Sequence, residues 1–257
     1  MFINNFDPVA FQILSLEIRW YSLAYIMGII LGWTYCKKKL ITDQHILGLF
    51  DDFITYAVIG IILGGRLGYA LFYNLNYYLE NPLEIMMVWN GGMSFHGGLI
   101  GVILATQLFA NKYKVNQFIF LDLVALSAPI GIFFGRIANF INSELIGRAA
   151  NLPWSVQFVL VDNIKRHPSQ LYEAFFEGII LFLLLGYFFK KNYLHNPGKI
   201  SALFLIFYSL FRFFAEFFRS PDPQIGYLFL NLTLGQLISI FFLIAGMLLF
   251  YLKNNEK

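Results

Sequence analysis

The chain has 257 residues, of which 58% are hydrophobic and 13% are charged, and its formal net charge is +3. A composition this apolar lies outside the range of soluble domains, so it excludes a cytosolic enzyme. A single cysteine, Cys36, also excludes an internal disulfide and a metal cluster built from cysteines.

Seven apolar segments follow one another along the chain, joined by short connections. Each segment is close to the roughly 20 residues that a helix needs to cross a bilayer. Small residues at helical spacing, such as Gly60, Gly64 and Gly68, favour close packing between helices. The sequence therefore predicts an all-α polytopic membrane protein, with residues 1–257 forming a single integral membrane domain. The predicted spans are residues 19–36, 50–73, 92–110, 117–141, 170–189, 200–218 and 230–252.

The lysines predict the orientation in the membrane. Ten of the eleven lysines fall in the connections after the first, third, fifth and seventh segments, and cytoplasmic loops are rich in basic residues. We therefore expect an external N-terminus and a cytoplasmic C-terminus. The first segment is not predicted to be a cleavable signal peptide, because its lysines follow the apolar run. Residues 142–169 are expected to form a small external cap, with short strands around Trp154 to Leu160.

The arginines are distributed in the opposite way, since none of the seven falls in a predicted cytoplasmic connection. Arg66, Arg136 and Arg212 lie within the second, fourth and sixth spans, roughly 9 Å inside the outer boundary at 1.5 Å per residue. A charge at such depth costs about 2.5 to 3.5 kcal/mol. Their matched depth favours a shared anionic ligand such as phosphate, which fits the planar guanidinium fork. The alternative is that each arginine snorkels to the surface or pairs with a carboxylate, although no local acid obviously neutralises Arg136.

Other polar residues accompany these arginines at helical spacing. Tyr208, Arg212 and Glu216 follow one another at i, i+4 and i+8, and Arg219 lies three residues further. Residues of this kind on one helix face indicate a pocket rather than a single ion pair. The corresponding run of the fourth span carries Arg136, Asn139, Asn142, Glu144 and Arg148.

Three further residues belong to the candidate site. His96 lies between glycines near the predicted outer surface, and a pKa of about 6.5 suits a base at neutral pH, although a purely structural histidine is the alternative. Glu173 and Glu177, at i and i+4 in the fifth span, are predicted to be partners of the buried arginines rather than pocket carboxylates. We expect no metal or organic cofactor, because no His/Asp/Glu cluster has ligand spacing on the outer side.

Four motifs are similar to those of the prolipoprotein diacylglyceryl transferase family. The motifs are GGMSFHGGLIG (91–101), GRIANFINSELIGR (135–148), RHPSQLYE (166–173) and FRFFAEFFRSPD (211–222). The resemblance begins at FDPV near the N-terminus and continues into the last span, so it covers nearly the whole chain. By this resemblance, Arg136 binds the lipid head group. The family's site residues carry over onto Tyr21, His96, Arg136, Asn139, Glu144, Arg212, Glu216 and Arg219.

The resemblance implies an enzyme of the bacterial cytoplasmic (inner) membrane, active toward the outer leaflet in lipoprotein biosynthesis. Such an enzyme transfers the diacylglyceryl group of phosphatidylglycerol to the thiol of the lipobox cysteine of a prolipoprotein, which forms a thioether and releases glycerol phosphate. His96 is then a candidate base, and Arg136 and Arg212 are catalytic candidates that stabilise the departing phosphate. Arg66 and Tyr208 are added as lipid-binding candidates. The expected partners are phosphatidylglycerol, the prolipoprotein signal peptide and membrane lipid, without nucleic acid.

Two other classes of protein are weighed against this one. A membrane transporter of an anionic solute would also use buried Arg and Glu residues, but transporters usually show paired halves, and no internal repeat is visible. A transferase acting on an isoprenoid phosphate would need acidic metal-binding pairs. The only adjacent aspartates are Asp51 and Asp52, which map to the cytoplasmic start of the second span.

Overall fold

The computed structural model describes residues 2–14, 16–88, 91–191, 196–221 and 226–255. Helices make up most of these residues. The chain divides into two compact units, one formed by Met1–Cys36 with Asp122–Lys257 and the other by Lys37–Leu121. Compact units are not the same as separate domains. The single integral membrane domain expected from the sequence therefore stays a prediction.

The described elements are short strands near the N-terminus and between helices, and nine α-helices within the described ranges. The strands are β1 (Phe2–Asn4), β2 (Val9–Ile13), β3 (Leu16–Arg19), β4 (Val156–Phe158) and β5 (Lys165–Arg166). The helices are α1 (Trp20–Tyr35), α2 (Gln44–Phe72), α3 (Leu75–Glu80), α4 (Phe95–Tyr113), α5 (Gln117–Ile141), α6 (Ser169–Glu173), α7 (Leu181–Lys190), α8 (Lys199–Ala215) and α9 (Leu234–Asn255). Tighter or wider helical turns occupy Cys36–Leu40, Pro82–Met86, Ala174–Ile180 and Phe229–Asn231.

A helix occupies each of the seven predicted segments, and the apolar, helical character of a membrane protein is confirmed. In the described ranges, four helical stretches are long and apolar enough to cross a membrane, namely α2, α5, α9 and the stretch Ser169–Lys190. With 16 and 17 residues, α1 and α8 are shorter than the about 20 residues of a typical span. Seven spans and the orientation of the termini therefore stay predictions.

In the first unit, α1 packs antiparallel against α5 through small residues. A Cβ atom added at Gly28 would lie 2.8 Å from Cα of Gly131, and one at Gly32 would lie 3.3 Å from Cβ of Ser127. Two helices approach this closely only where side chains are minimal. The earlier glycine of α1, Gly28, meets the later residue of α5, Gly131. The start of α1 therefore lies toward the end of α5.

A small three-stranded sheet with the order β1-β4-β5 lies beside the end of α5. β1 pairs parallel to β4, and β4 pairs antiparallel to β5. The buried side chain of Asn4 donates to the carbonyl of Phe140 at 2.6 Å, and Phe140 packs with Val156 and Phe158. The strand predicted near Trp154 is thus confirmed, while the external position of residues 142–169 stays a prediction.

The second unit is built on the packing of α2 against α4. A Cβ atom at Gly60 would lie 2.6 Å from Cβ of Ala105, and one at Gly68 would lie 2.7 Å from Cα of Gly97. The glycines of both helices therefore form the close contact that their spacing predicts.

The adjacent aspartates of the second unit have protein partners. The Asp51 carboxylate lies 2.8 Å from the Lys37 ammonium, and the Tyr113 hydroxyl donates to Asp52 at 3.0 Å. These contacts account for both carboxylates as surface interactions at the start of α2. They give no support to a metal-dependent phosphate chemistry at this pair.

Candidate functional site

Arg136, near the end of α5, contacts two carboxylates of the stretch Ser169–Lys190. Its Nη1 lies 2.9 Å from Oε2 of Glu173, and its Nη2 and Nε donate to Oε2 of Glu177 at 2.9 and 3.2 Å. Both glutamate side chains are fully buried, whereas 15% of the Arg136 side chain is exposed. The prediction that Glu173 and Glu177 are partners of the buried arginines is confirmed. No acid near Arg136 in sequence contributes to these contacts, since both carboxylates come from a different helix.

Arg212 of α8 joins the same cluster. Its Nη1 lies 2.5 Å from Oε1 of Glu173, and its Nη2 lies 2.7 Å from Oε2 of Glu216. Nη1 of Arg219 lies 4.0 Å from Oε1 of Glu173. Glu173 therefore interacts with three guanidinium groups, which brings the polar runs of the fourth and sixth predicted spans together.

The helix that carries the two carboxylates has an irregular turn at this point. Glu173 ends α6, and Glu177 lies in the π-helical turn Ala174–Ile180. π-turns with i→i+5 hydrogen bonds are rare and occur frequently at functional sites. Gly178 permits a close approach to α5, since a Cβ atom there would lie 2.7 Å from Cβ of Phe133.

The turn after α5 holds Glu144 at the edge of the cluster. Oε2 of Glu144 accepts from Nδ2 of Asn139 at 2.9 Å, and its carbonyl accepts from Nε2 of Gln170 at 2.5 Å. Ser143 and Leu145, on either side, have positive φ angles of 57° and 53°. Such residues cost about 1 to 3 kcal/mol in this conformation, so the strained turn that presents Glu144 must be maintained by its surroundings.

Two predicted site tyrosines, Tyr21 and Tyr208, lie close enough to Arg136 for its charge to act on their hydroxyl groups. The hydroxyl of Tyr21 lies 3.4 Å from that of Tyr25. Glu216 was predicted to bind substrate, yet its oxygens contact Arg212 and accept from the Thr233 hydroxyl at 3.0 Å. We infer that Glu216 orients Arg212.

Some contributors to the site were absent from the sequence prediction. Thr233 and Gln170 touch carboxylate or backbone oxygens of predicted site residues. A Cβ atom at Gly235 would lie 2.9 Å from Cδ of Glu216, so only glycine fits there without a shift. The RHPSQLYE motif contains Gln170 and could have indicated it, but nothing in the sequence around Thr233 pointed to Glu216.

The loop after α5 pairs with the loop after α8. Gly147 and Arg219 form an antiparallel bridge, and Nε of Arg148 donates to the Arg219 carbonyl at 2.9 Å. These contacts join the second and fourth sequence motifs through the backbone. Arg148, the last residue of the polar run of the fourth predicted span, therefore stabilises the loop that carries Arg219.

Arg66, in the second unit, has a different environment from the one predicted. Its Nε and Nη2 donate to the carbonyls of Ile85, Glu84 and Met87 at 2.9, 2.6 and 3.0 Å. Its Nη1 donates to the carbonyls of Gly91 and Gly92. All five N–H groups therefore have backbone acceptors, and none is left for a phosphate. The loop after α3 therefore saturates the fork of Arg66, which favours a structural role, and the predicted role of Arg66 in substrate binding stays a prediction.

His96 lies in the first turn of α4, whose N-cap is Ser94. The Ser94 hydroxyl accepts from the backbone N–H of Gly97 at 3.2 Å. The His96 side chain lies outside the described side chains, so its assignment as a base stays a prediction.

The cluster is balanced in formal charge. In the described ranges, Arg136, Arg212 and Arg219 face Glu173, Glu177 and Glu216. Among the same described residues, no group of three or more His, Cys, Asp or Glu side chains is arranged to hold a metal ion. The absence of a cofactor from the reaction nevertheless stays a prediction.

Comparisons with known proteins agree with the motifs. A sequence model of the family described as prolipoprotein diacylglyceryl transferase matches residues 8–252. Proteins named phosphatidylglycerol–prolipoprotein diacylglyceryl transferase are similar over nearly the whole length. The one from Rickettsia felis is 49% identical over 263 residues, covering 100% of both chains. The one from Rhodospirillum rubrum is 49% identical over 260 residues, covering 98% of this chain and 93% of its own. The chain therefore belongs to the prolipoprotein diacylglyceryl transferase family, a family of membrane-bound transferases.

Proposed function

We propose that this protein transfers the diacylglyceryl group of phosphatidylglycerol to the lipobox cysteine of a prolipoprotein signal peptide. The observation that carries the proposal is the cluster of Arg136 and Arg212 with buried glutamates. Membership of the family supports the same reaction.

The contacts of Arg136 leave part of its fork open. Its Nε has Glu177 as an acceptor, and each terminal nitrogen has one carboxylate contact. Within the described residues, the hydrogen bonds of Arg136 use only Nε and one N–H of Nη2, and Nη1 has the ion-pair contact with Glu173 but no hydrogen-bond acceptor. Because Glu173 and Glu177 hold the guanidinium in place, these remaining N–H groups are preorganised for an anion such as a phosphodiester.

The chemistry of the reaction needs a group of this kind. A base removes the proton of the peptide thiol, whose pKa is ordinarily about 8.5. The thiolate then attacks the carbon of the diacylglyceryl group that carries the phosphate. A C–S bond forms at this carbon, while its C–O bond breaks and the electron pair stays on the phosphate oxygen. The departing glycerol phosphate gains a negative charge, which Arg136 and Arg212 stabilise more strongly than the charge of the bound lipid.

His96 is the proposed base for the thiol, as expected from its place among glycines at the start of α4. The His96→Gln variant keeps polarity and removes basicity. Turnover of this variant should fall strongly and recover partly as the pH rises toward the thiol pKa. A loss of activity that does not change with pH would make His96 a structural residue instead.

The proposed orientation places the N-terminus and the end of α5 outside the cytoplasm, with the site facing the outer leaflet of the bacterial inner membrane. Reporter fusions at Lys112 and Lys191 test it, and both should report a cytoplasmic position. An external reading at either residue would contradict the seven-span arrangement.

The direct test is incubation of the purified protein with phosphatidylglycerol and a lipobox peptide, followed by mass spectrometry. The expected product is a peptide with a diacylglyceryl group in thioether linkage, together with free glycerol phosphate. A peptide with serine in place of the lipobox cysteine is the matched control and should give no product. Activity should persist in the presence of a metal chelator. Anion flux across proteoliposomes without any lipidated peptide would favour the transporter alternative.

A further inference from the structure

The hairpin of β2 and β3 has one polar and one apolar face. Phe11 and Ile13 lie two residues apart in β2 and so share a face, and 49% and 56% of their surfaces are exposed. Gln12, between them, pairs with Glu17 on the opposite face. Glu17 forms an exposed ion pair with Arg19 at 3.2 Å. The apolar face is therefore open, while the polar face has the charges of a water-exposed surface.

The residue that follows β2, Leu14, is also apolar and exposed. Leu14 is 95% exposed and has a φ angle of 54°. Glycine or asparagine adopts this left-handed conformation with less strain than leucine, and either would be better solvated. An exposed leucine at this position is thus unfavourable in water on both grounds. Contact with an apolar medium would remove the cost of exposing it.

The place of the hairpin in the fold identifies that medium. β3 continues without a break into α1, and the N–H of Trp20 donates to the Pro8 carbonyl at 3.2 Å. The start of α1 lies toward the end of α5, since Gly28 packs on Gly131, and α5 is long and apolar enough to span a membrane. Tryptophan and tyrosine, as at positions 20 and 21, are typical of the boundary between lipid and water.

We propose that the β2–β3 hairpin lies in the membrane interface, with Phe11, Ile13 and Leu14 among the lipid chains and Gln12 and Glu17 facing water. Amphipathic surface elements bind in this zone according to the apolar area that they bury. The hairpin lies toward the same end of α5 as Arg136, so it contacts the leaflet that supplies the lipid substrate. That last consequence rests on the proposed function, whereas the insertion itself does not.

The test uses cysteine variants of the full chain labelled with an environment-sensitive NBD fluorophore. Leu14→Cys and Ile13→Cys report on the apolar side, and Gln12→Cys is the matched control on the polar face. Cys36 is buried, so the unmodified protein should take up little label and defines the background. The labelled proteins are placed in phosphatidylglycerol and phosphatidylethanolamine nanodiscs, with and without lipids that carry a doxyl quencher near the head group.

We expect quenching by the doxyl lipid at Leu14 and Ile13 to be about twofold stronger or more than at Gln12. Iodide in the water should quench the label at Gln12 most. Equal quenching at all three positions, or accessibility of Leu14 to iodide alone, would overturn the proposal. Shielding of Ile13 from iodide only after addition of a lipobox peptide would also overturn it and would make the face a peptide-binding surface. Because the measurement needs no turnover, a failed transfer assay leaves its result unaffected.

Discussion

Arg66 and Arg136 are both arginines within apolar helices, yet the protein uses them differently. Arg66 donates all five of its N–H groups to backbone carbonyls of the loop after α3 and lies 5.2 Å from the ring of Tyr78. Arg136 binds two buried carboxylates and remains partly exposed. The comparison shows that the depth of an arginine does not reveal its role. A saturated fork stabilises structure, whereas an oriented and partly open fork is suited to binding an anion.

The largest expected effect follows removal of the carboxylate that the arginines share. Glu173→Gln leaves Arg136 and Arg212 near each other with less compensating charge, and breaking a buried pair of this kind costs about 3 to 5 kcal/mol. Glu17→Gln, which breaks the exposed pair with Arg19, is the matched control and should cost about 0 to 1 kcal/mol. Denaturant unfolding of the purified variants in micelles measures both. Equal stability of the two variants would show that the cluster does not hold the helices together.

The second expected effect concerns the fork of Arg136. Arg136→Lys keeps the charge and loses the planar geometry, so we expect transfer activity to fall about 100-fold, as when one preorganised donor is removed from an active site. Arg212→Lys should behave in the same way. Arg19→Lys, at an exposed arginine of the hairpin, is the control and should retain nearly normal activity.

Activity and phosphatidylglycerol binding are compared at equal abundance in the membrane. Near-normal binding and turnover in both Arg136→Lys and Arg212→Lys would contradict a bidentate phosphate clamp and leave only a point-charge role.

Arg66→Lys tests whether Arg66 stabilises the loop after α3. Lysine has three donors, so at least two of the five carbonyl bonds are lost, and at about 1 kcal/mol for each the variant should be about 2 kcal/mol less stable. Hydrogen exchange should increase in residues 84–88. Transfer activity per folded molecule should fall less than in Arg136→Lys. If Arg66→Lys were as stable as the unmodified protein but had lost its transfer activity, Arg66 would belong to the binding site.

The smallest effect concerns His167, a partly buried side chain that packs against two aromatic rings. Burial against the rings of Phe218 and Tyr172 lowers the pKa of His167 below its ordinary value of about 6.5. As the pH falls toward 5, the unfolded chain binds a proton here that the folded protein does not, so stability decreases. His167→Gln cannot titrate, and its stability should change less between pH 7 and pH 5. Parallel pH curves for the two proteins would show that the pKa of His167 is the same in the folded and unfolded states.

Much of the architecture follows from the sequence because it depends on composition and periodicity. Apolar runs of span length predict the helices, and the glycines of α2 and α4 predict the close contact that the structure shows. Arg136, Arg212 and Glu216 stand out because charges in apolar helices are costly and therefore rare. The same reasoning marked Arg66 as a binding residue, whereas the structure shows that backbone carbonyls saturate its fork.

The sequence predicted Glu173 and Glu177 as partners of the buried arginines, but the tertiary structure decided which arginine each carboxylate contacts. Glu173 and Glu177 are distant from Arg136 in sequence, and their helix packs closely on α5 where Gly178 meets Phe133. The acceptors of Arg66 are backbone carbonyls, which every residue carries, so no pattern of side chains could have predicted them. The sequence determines which side chains carry a charge. The atoms that a given charge contacts, whether of a carbonyl or a carboxylate, depend on how the helices and loops pack around it.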